Sequence, residues 1–174
     1  FIPAPTMTSY TPTSGGAGTT VTMTGTNYTG ATSVKFNGVA ATSFKVVSAT
    51  TITAVVPKTT TGKISVTTRG GTYTTGSSFT FIPAPTMTSY SPTSGGAGTT
   101  VTMTGTNYTG ATSVKFNGVA AASFKVVSAT TLTAVVPKTA TGKISVTTRG
   151  GTYTTGSSFT FIPAPALTSY SPTS

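Results

Sequence analysis

The chain has 174 residues, ten of them Lys or Arg and none of them Asp, Glu, His, Cys or Trp, which gives a formal net charge of +10. Without carboxylates, imidazoles or thiols, the chain has no carboxylate pair for acid/base catalysis, no Ser-His-Asp triad, no disulfide and none of the usual sites for zinc, calcium and magnesium. Only Lys, Arg and Tyr remain titratable, and nothing in the sequence marks the desolvated Lys beside a Ser that a Ser–Lys hydrolase needs. The composition therefore predicts a protein that is not an enzyme and that uses no metal and no cofactor.

The composition also predicts a folded chain. Thr and Ser supply 67 residues, but Val, Ile, Phe and Met recur among them at regular spacing, which a mucin-like stalk does not require. The charged fraction is only 6%, whereas disordered chains combine high charge with low hydrophobicity. No apolar run in the sequence is long enough to span a bilayer.

Polar and apolar residues alternate along the first 80 residues, which is typical of half-buried antiparallel strands. Gly-rich and Asn-Gly turns separate the alternating segments. In chain order, the predicted strands are Met7–Tyr10, Thr19–Thr26, Ser33–Asn37, Ser43–Ser48, Thr51–Val56, Lys63–Thr68 and Tyr73–Phe81. Seven short strands in about 80 residues predict an all-β, immunoglobulin-like β-sandwich.

An internal repeat sets the domain organisation. Residues 1–80 and 81–160 are identical at 76 of 80 positions, differing only at 11/91, 42/122, 52/132 and 60/140. We therefore predict two tandem sandwiches, at residues 1–83 and 84–163, followed at 164–174 by the first strand of a truncated third repeat. Because the sequence starts and stops inside the repeat, we expect a window from a longer array. The inward side chains predicted for the second sandwich are Val101, Met103, Val114, Phe116, Phe124, Leu132, Ile144 and Val146.

Each repeat resembles an IPT/TIG domain, the immunoglobulin-like module of bacterial surface proteins, plexins and some transcription factors. The residues that carry the resemblance are those of Thr8–Tyr28, Val34–Ala41 and Val66–Thr68, followed by Gly70-Gly71. The closest likeness is to bacterial tandem-repeat members, and it implies an extracellular stalk or adhesin. That branch commonly has an acidic or amide residue near Ala49 and Thr51, so the resemblance carries no expectation of ion binding here.

The basic residues form a candidate binding face. In an immunoglobulin-like sheet, Lys35 lies beside the strand that carries Lys63, and both alternate with apolar neighbours, so they should point outward. Such a face would attract an anionic polysaccharide, a cell surface or nucleic acid. The charges are sparse and no aromatic residues interleave with them, which disfavours specific nucleic-acid binding. The candidate residues are Lys35, Lys45, Lys63, Arg69, Lys115, Lys125, Lys143 and Arg149.

Asn27 and Asn107 each begin an Asn-Tyr-Thr sequon and are candidate N-glycosylation sites. The competing interpretation, which we favour, is that the short amide satisfies backbone groups in the turn that follows the second strand.

The segment Phe-Ile-Pro-Ala-Pro recurs at residues 1, 81 and 161. Its prolines favour an extended, semi-rigid joint between domains, which predicts an end-to-end rod rather than freely rotating domains. The candidate linker residues are Pro83, Pro85, Pro163 and Pro165. Residues 1–3 and 167–170 would leave strand edges at the chain ends, which suggests a head-to-tail filament with the protein itself as the partner.

Two functional hypotheses follow. The first is a structural, extracellular rod, stalk or filament on a microbial surface. The alternative is a binding module that uses its Lys/Arg face for an anionic glycan or nucleic acid.

Overall fold

A computed structural model describes residues 2–166, and every helix-or-strand element within that range is a β-strand. The chain divides into two compact units, with the principal division between Ala84 and Pro85. The predicted third-repeat strand lies outside the described residues from position 167 onward. The preceding residues 162–166, which include Pro163 and Pro165, belong to no strand.

The first unit contains nine strands. They are β1 (Thr6–Thr11), β2 (Ser14–Gly15), β3 (Thr20–Thr26), β4 (Ser33–Phe36), β5 (Val39–Ala40), β6 (Ser43–Ser48), β7 (Thr51–Val55), β8 (Gly62–Thr68) and β9 (Gly71–Phe81). All seven predicted strands are present, with ends that differ by at most two residues. The two additions, β2 and β5, are only two residues long, which is too short for an alternation to show in the sequence.

The second unit repeats this order. Its strands are β10 (Thr86–Ser91), β11 (Ser94–Gly95), β12 (Thr100–Thr106), β13 (Ser113–Phe116), β14 (Val119–Ala120), β15 (Ser123–Val126), β16 (Thr131–Val135), β17 (Gly142–Thr148) and β18 (Gly151–Phe161).

Two sheets make up each unit. In the first unit the four-stranded sheet has the order β1-β3-β7-β6, and the five-stranded sheet has the order β2-β9-β8-β4-β5. All pairs are antiparallel except β2 with β9, which run parallel. This is the strand order of an immunoglobulin-like sandwich with two short added edge strands, so the predicted fold is confirmed.

The core of each unit lies between its two sheets. In the second unit, seven of the eight side chains predicted to point inward are buried. Phe124 is the exception, because 37% of its surface is exposed. It is in phase with buried Ala134 on the neighbouring strand, but β15 is the edge of its sheet, so nothing covers its outer side. Its counterpart Phe44 is exposed for the same reason.

Aromatic side chains fill part of the core, and one of them, Tyr28, was not indicated by the sequence pattern. Tyr28, which lies in the loop after β3, is fully buried. Phe36 and Phe79 meet edge to face, with ring centroids 5.4 Å apart, and Phe116 and Phe159 repeat the contact in the second unit. Such aromatic pairs contribute stability beyond the area that they bury.

A bulge interrupts the pairing of β8 with β9. Lys63 lies opposite Ser78 and Ser65 opposite Thr74, so two steps along β8 correspond to four along β9. Thr75 fixes this bulge: its hydroxyl accepts a hydrogen bond from the Ile64 amide at 3.0 Å and donates one to the Ser77 carbonyl at 2.6 Å. The bulge therefore places Gly76 and Ser77 outside the regular ladder.

Candidate functional site

Lys35 and Lys63 share the outer face of the five-stranded sheet in the first unit. Each is exposed and alternates with buried neighbours, Phe36 beside Lys35 and Ile64 beside Lys63. Lys35 lies directly opposite Ser65, two residues from Lys63, so the two lysines are diagonal neighbours across adjacent strands. Diagonal pairs of this kind have Cβ atoms about 7–8 Å apart. The chain has no Asp or Glu with which they could pair.

Lys45 is not on this face. It lies on β6 opposite Thr53, which is in the other sheet of the sandwich, and it is exposed on that sheet's outer side. Arg69 follows β8 and is exposed in the turn that leads into β9, at the far end of the strand from Lys63. The structure thus brings together two of the four basic residues predicted as one face in this unit.

The second unit repeats this placement. Lys115 lies opposite Ser145, and Lys143 is exposed on the same strand, two residues from it. Lys125 lies opposite Thr133 in the other sheet. Arg149 is exposed directly after β17.

Asn27 holds the segment that leads into the first domain. Its side-chain amide donates a hydrogen bond to the Ala4 carbonyl at 2.9 Å, and its backbone has the left-handed φ of 59°. Asn107 has the same partial burial and a φ of 60°. Asn27 therefore does bind a backbone group as predicted, but the acceptor lies 23 residues earlier in the chain and not within the turn. The nitrogen that makes the hydrogen bond is also the one to which a glycan would be attached, and glycosylation remains a prediction.

The predicted linker prolines differ in burial. Pro83 is exposed, whereas Pro85 is buried where the chain enters β10; in the first unit Pro3 is exposed and Pro5 is buried in the same way. Pro163 and Pro165 are both exposed.

A groove runs between β1 and the unpaired edge of β9, and a matching groove recurs in the second unit. The first has a volume of about 520 Å³ and the second about 280 Å³. The walls of the first groove carry two tyrosines, Tyr10 and Tyr73, and a row of Ser and Thr residues, with no charged side chain. No pattern in the sequence indicates this groove, since it depends on the β9 bulge and on two strands from different sheets.

The Tyr28 hydroxyl is buried and has no hydrogen-bond partner among the described residues, and the same holds for Tyr108. Burial, with a smaller contribution from the charge of a neighbouring Tyr73 phenolate, raises the pKa of Tyr28 to about 12. A side-chain carbon at Gly25 would overlap both this hydroxyl and the Thr6 carbonyl, so the glycine makes room for the ring.

Among residues 2–166 no helix is long and apolar enough to cross a bilayer.

The two units are thus tandem immunoglobulin-like sandwiches with exposed basic residues and a neutral groove. A family model for the IPT/TIG domain matches residues 5–81 and 85–161. The chain therefore belongs to the IPT/TIG domain family, as its sequence predicts. A search of curated proteins found no match.

Several solved structures are similar to this chain at low sequence identity. The extracellular region of plexin A4 is 20% identical with a TM-score of 0.51, and the match covers 92% of this chain and 16% of plexin. SGBP-B from a xyloglucan utilization locus of Bacteroides uniformis is 23% identical with a TM-score of 0.44, covering 91% of this chain and 50% of that one. A surface glycan-binding protein of Prevotella bryantii is 20% identical with a TM-score of 0.41, covering 89% and 42%. The chain spans at most half the length of these proteins.

Proposed function

We propose that this protein is a non-catalytic structural module of a microbial cell surface, in which tandem IPT/TIG domains form an extracellular rod or stalk. The observation that carries the proposal is the path of the chain through one domain. A side-chain carbon at Gly70 would overlap the carbonyls of Ile2 and Pro3, so the leading segment passes close to the turn before β9. The chain leaves the domain at Phe81, at the opposite end of that strand.

The length of β9 gives the distance between these two points. The strand has eleven residues, and at ~3.3 Å per residue, with some shortening at the bulge, it spans about 30 Å. A domain that receives the chain at one end and releases it at the other adds its length to an array. Near-identical copies suit a spacer, because any copy supplies the same length. The surface location is carried over from the bacterial tandem-repeat proteins that the sequence resembles.

Small-angle X-ray scattering on this chain and on a version with two further copies of residues 81–160 tests the rod. We expect the maximum dimension to rise by about 35–45 Å for each added domain, allowing ~3.3 Å per strand residue plus the linker. A dimension that stays nearly constant while the mass increases would mean that the domains fold back on one another, and the rod would be rejected.

The head-to-tail filament is a further part of this proposal. Electron microscopy of concentrated protein should show fibres with an axial repeat of one domain length, about 35–45 Å. Two forms of such a filament are proposed: one long polypeptide of many repeats, which we favour, and shorter chains joined by donated strands. Denaturing electrophoresis of natively isolated fibres distinguishes them, because donated strands would dissociate into small subunits whereas a covalent array would migrate as one large chain. Monomers without end-to-end contacts would leave only the spacer role.

A second candidate function is binding of an anionic polysaccharide or cell surface through Lys35 and Lys63 and their copies Lys115 and Lys143. Their shared outer face and the lack of any acidic residue in the chain favour it. Binding to heparin should weaken steeply as salt is raised, since released counterions drive such association.

Matched variants test this candidate. Changing all four of these lysines to Gln should abolish heparin retention at moderate salt. The control is Lys45→Gln with Lys125→Gln, which removes charge from the opposite sheet and should shift retention much less. Equal shifts per charge removed would indicate attraction by net charge alone rather than by this face.

A further inference from the structure

The groove between β1 and β9 is a concave surface site with an uncharged, hydroxyl-rich lining. Its walls come from the edge strand of one sheet and from the part of β9 that has no partner on its outer side, since β2 pairs only with Thr80 and Phe81. It recurs with corresponding residues in the second unit, where Tyr90, Tyr153 and Gly156 occupy the places of Tyr10, Tyr73 and Gly76. The two volumes, about 520 and 280 Å³, are close to the range of small-molecule sites, about 300–1,000 Å³.

Two tyrosines give the groove both apolar surface and hydroxyls. Tyr10 and Tyr73 are partly buried and pack against the core. The Tyr10 hydroxyl lies 3.2 Å from Ser77 Oγ on the opposite wall, and in the second unit Tyr90 lies 3.3 Å from Ser157 Oγ. Tyrosine offers an apolar ring with a polar tip, and Ser and Thr hydroxyls both donate and accept hydrogen bonds.

We propose that this groove binds an uncharged oligosaccharide, one in each domain. A sugar ring has an apolar C–H face for a tyrosine ring and hydroxyls that complement those of Ser and Thr. The groove has no charged side chain, so it offers nothing specific to an anionic or cationic ligand. This proposal is independent of the rod and uses none of the exposed lysines.

The β9 bulge argues against a peptide as the ligand. A bound peptide strand needs a regular row of free backbone groups on the sheet edge. Here the bulge at Thr75–Ser77 breaks that row, and bulges of this kind protect sheet edges from strand addition. The same bulge presents the Ser77 hydroxyl to the groove.

Gly76 allows a direct test. A side-chain carbon at Gly76 would meet no atom within 4 Å, and the residue needs no left-handed φ, so the first carbon of a new side chain causes no clash there. The same holds for Gly156. Both glycines line their grooves, so the variant Gly76→Tyr with Gly156→Tyr adds a bulky ring at the wall of each groove. The matched control is Val47→Tyr with Val127→Tyr, which adds the same side chains at exposed positions, Val47 within β6 and Val127 directly after β15. These strands are the sheet edges opposite β1 and β10.

Isothermal titration on the full chain would use neutral hexasaccharides of glucose, xylose, mannose and N-acetylglucosamine, in high salt that screens the lysines. We expect saturable binding of at least one probe with two sites per chain, weakened about tenfold or more in the Gly76/Gly156 variant and unchanged in the control. Replacing Tyr10 and Tyr90 by Phe, which keeps the rings, should weaken binding by a smaller factor. No saturable binding of any probe, or binding that survives the added rings, would overturn the proposal. Neither result alters the scattering test of the rod.

Discussion

The side-chain amide of Asn27 donates a hydrogen bond to the main-chain carbonyl of Ala4, 23 residues earlier in the chain. This contact ties the leading segment of the first domain to the loop after β3. It also gives the Asn-Tyr-Thr motif a structural role.

Replacing Asn27 by Ala should destabilise the first domain by about 1.5–3.5 kcal/mol. The change removes a hydrogen bond worth about 0.5–1.5 kcal/mol and places a side chain with no local hydrogen bond in the left-handed region, at a further cost of about 1–2 kcal/mol. Urea unfolding should then show two transitions, because the second domain is unchanged. Asn27→Gly tolerates the backbone conformation and should lose only about 1 kcal/mol. If Gly proves as harmful as Ala, backbone strain is not part of the effect.

Gly25→Ala should destabilise the first domain by about 1–3 kcal/mol through overpacking. The added carbon would overlap the Thr6 carbonyl and the Tyr28 hydroxyl, and both lie in a closely packed region. Gly76→Ala is the matched control: it meets no neighbour and should be neutral, or stabilising by up to about 1 kcal/mol, because it restricts the unfolded chain. Thermal unfolding of both variants measures the difference, and a harmless Gly25→Ala would mean that β1 and β3 are less tightly apposed.

Phe116→Ala should cost about 3–5 kcal/mol, since the ring is only 1% exposed and packs against Phe159. Phe124→Ala, which removes the same group from a sheet edge where it is 37% exposed, should cost about 1–2 kcal/mol. Denaturant midpoints of the two variants provide the comparison. Similar losses would show that β15 is covered in solution.

The buried tyrosines predict a loss of stability at alkaline pH. The pKa of Tyr28 is raised to about 12, against about 10 for an unfolded chain, so between these values only the unfolded state ionises. The contribution of neutral Tyr28 to the free energy of unfolding is therefore fully present below pH 10 and decreases as the pH rises to 12. Tyr28→Phe with Tyr108→Phe should flatten this part of the curve and be neutral or slightly stabilising at pH 7, because it removes hydroxyls without a described partner. Parallel stability curves for the two proteins above pH 10 would contradict the assignment.

Alternation along the chain predicted which side chains share a face but not how well each is covered. Phe116 and Phe124 both have the correct phase, yet only Phe116 is buried, because its strand has a neighbour on each side in its sheet and β15 does not. Tyr28 shows the reverse case: it lies in a loop, where no alternation marks it, and is buried by contacts distant in sequence.

The candidate site likewise has features that the sequence predicts and features that it does not. That Lys35 and Lys63 lie on one sheet face could be predicted, since their strands pair in any immunoglobulin-like sandwich. That Lys45 lies on the opposite face is decided by the partition of strands between the two sheets. The groove could not be predicted at all, because it needs a bulge held by Thr75 and walls from two different sheets.

The sequence by itself determined the repeat, the strand segments, the sandwich class and the lack of carboxylate, imidazole and thiol side chains. These properties are local or compositional: a two-residue alternation sets strand phase, and a missing residue type is missing in every fold. Only the tertiary structure decided which strands became edges, where Asn27 anchors the leading segment and where β9 leaves its ladder to form a groove. Those features depend on contacts between residues far apart in the chain, whose formation requires the packing of the two sheets.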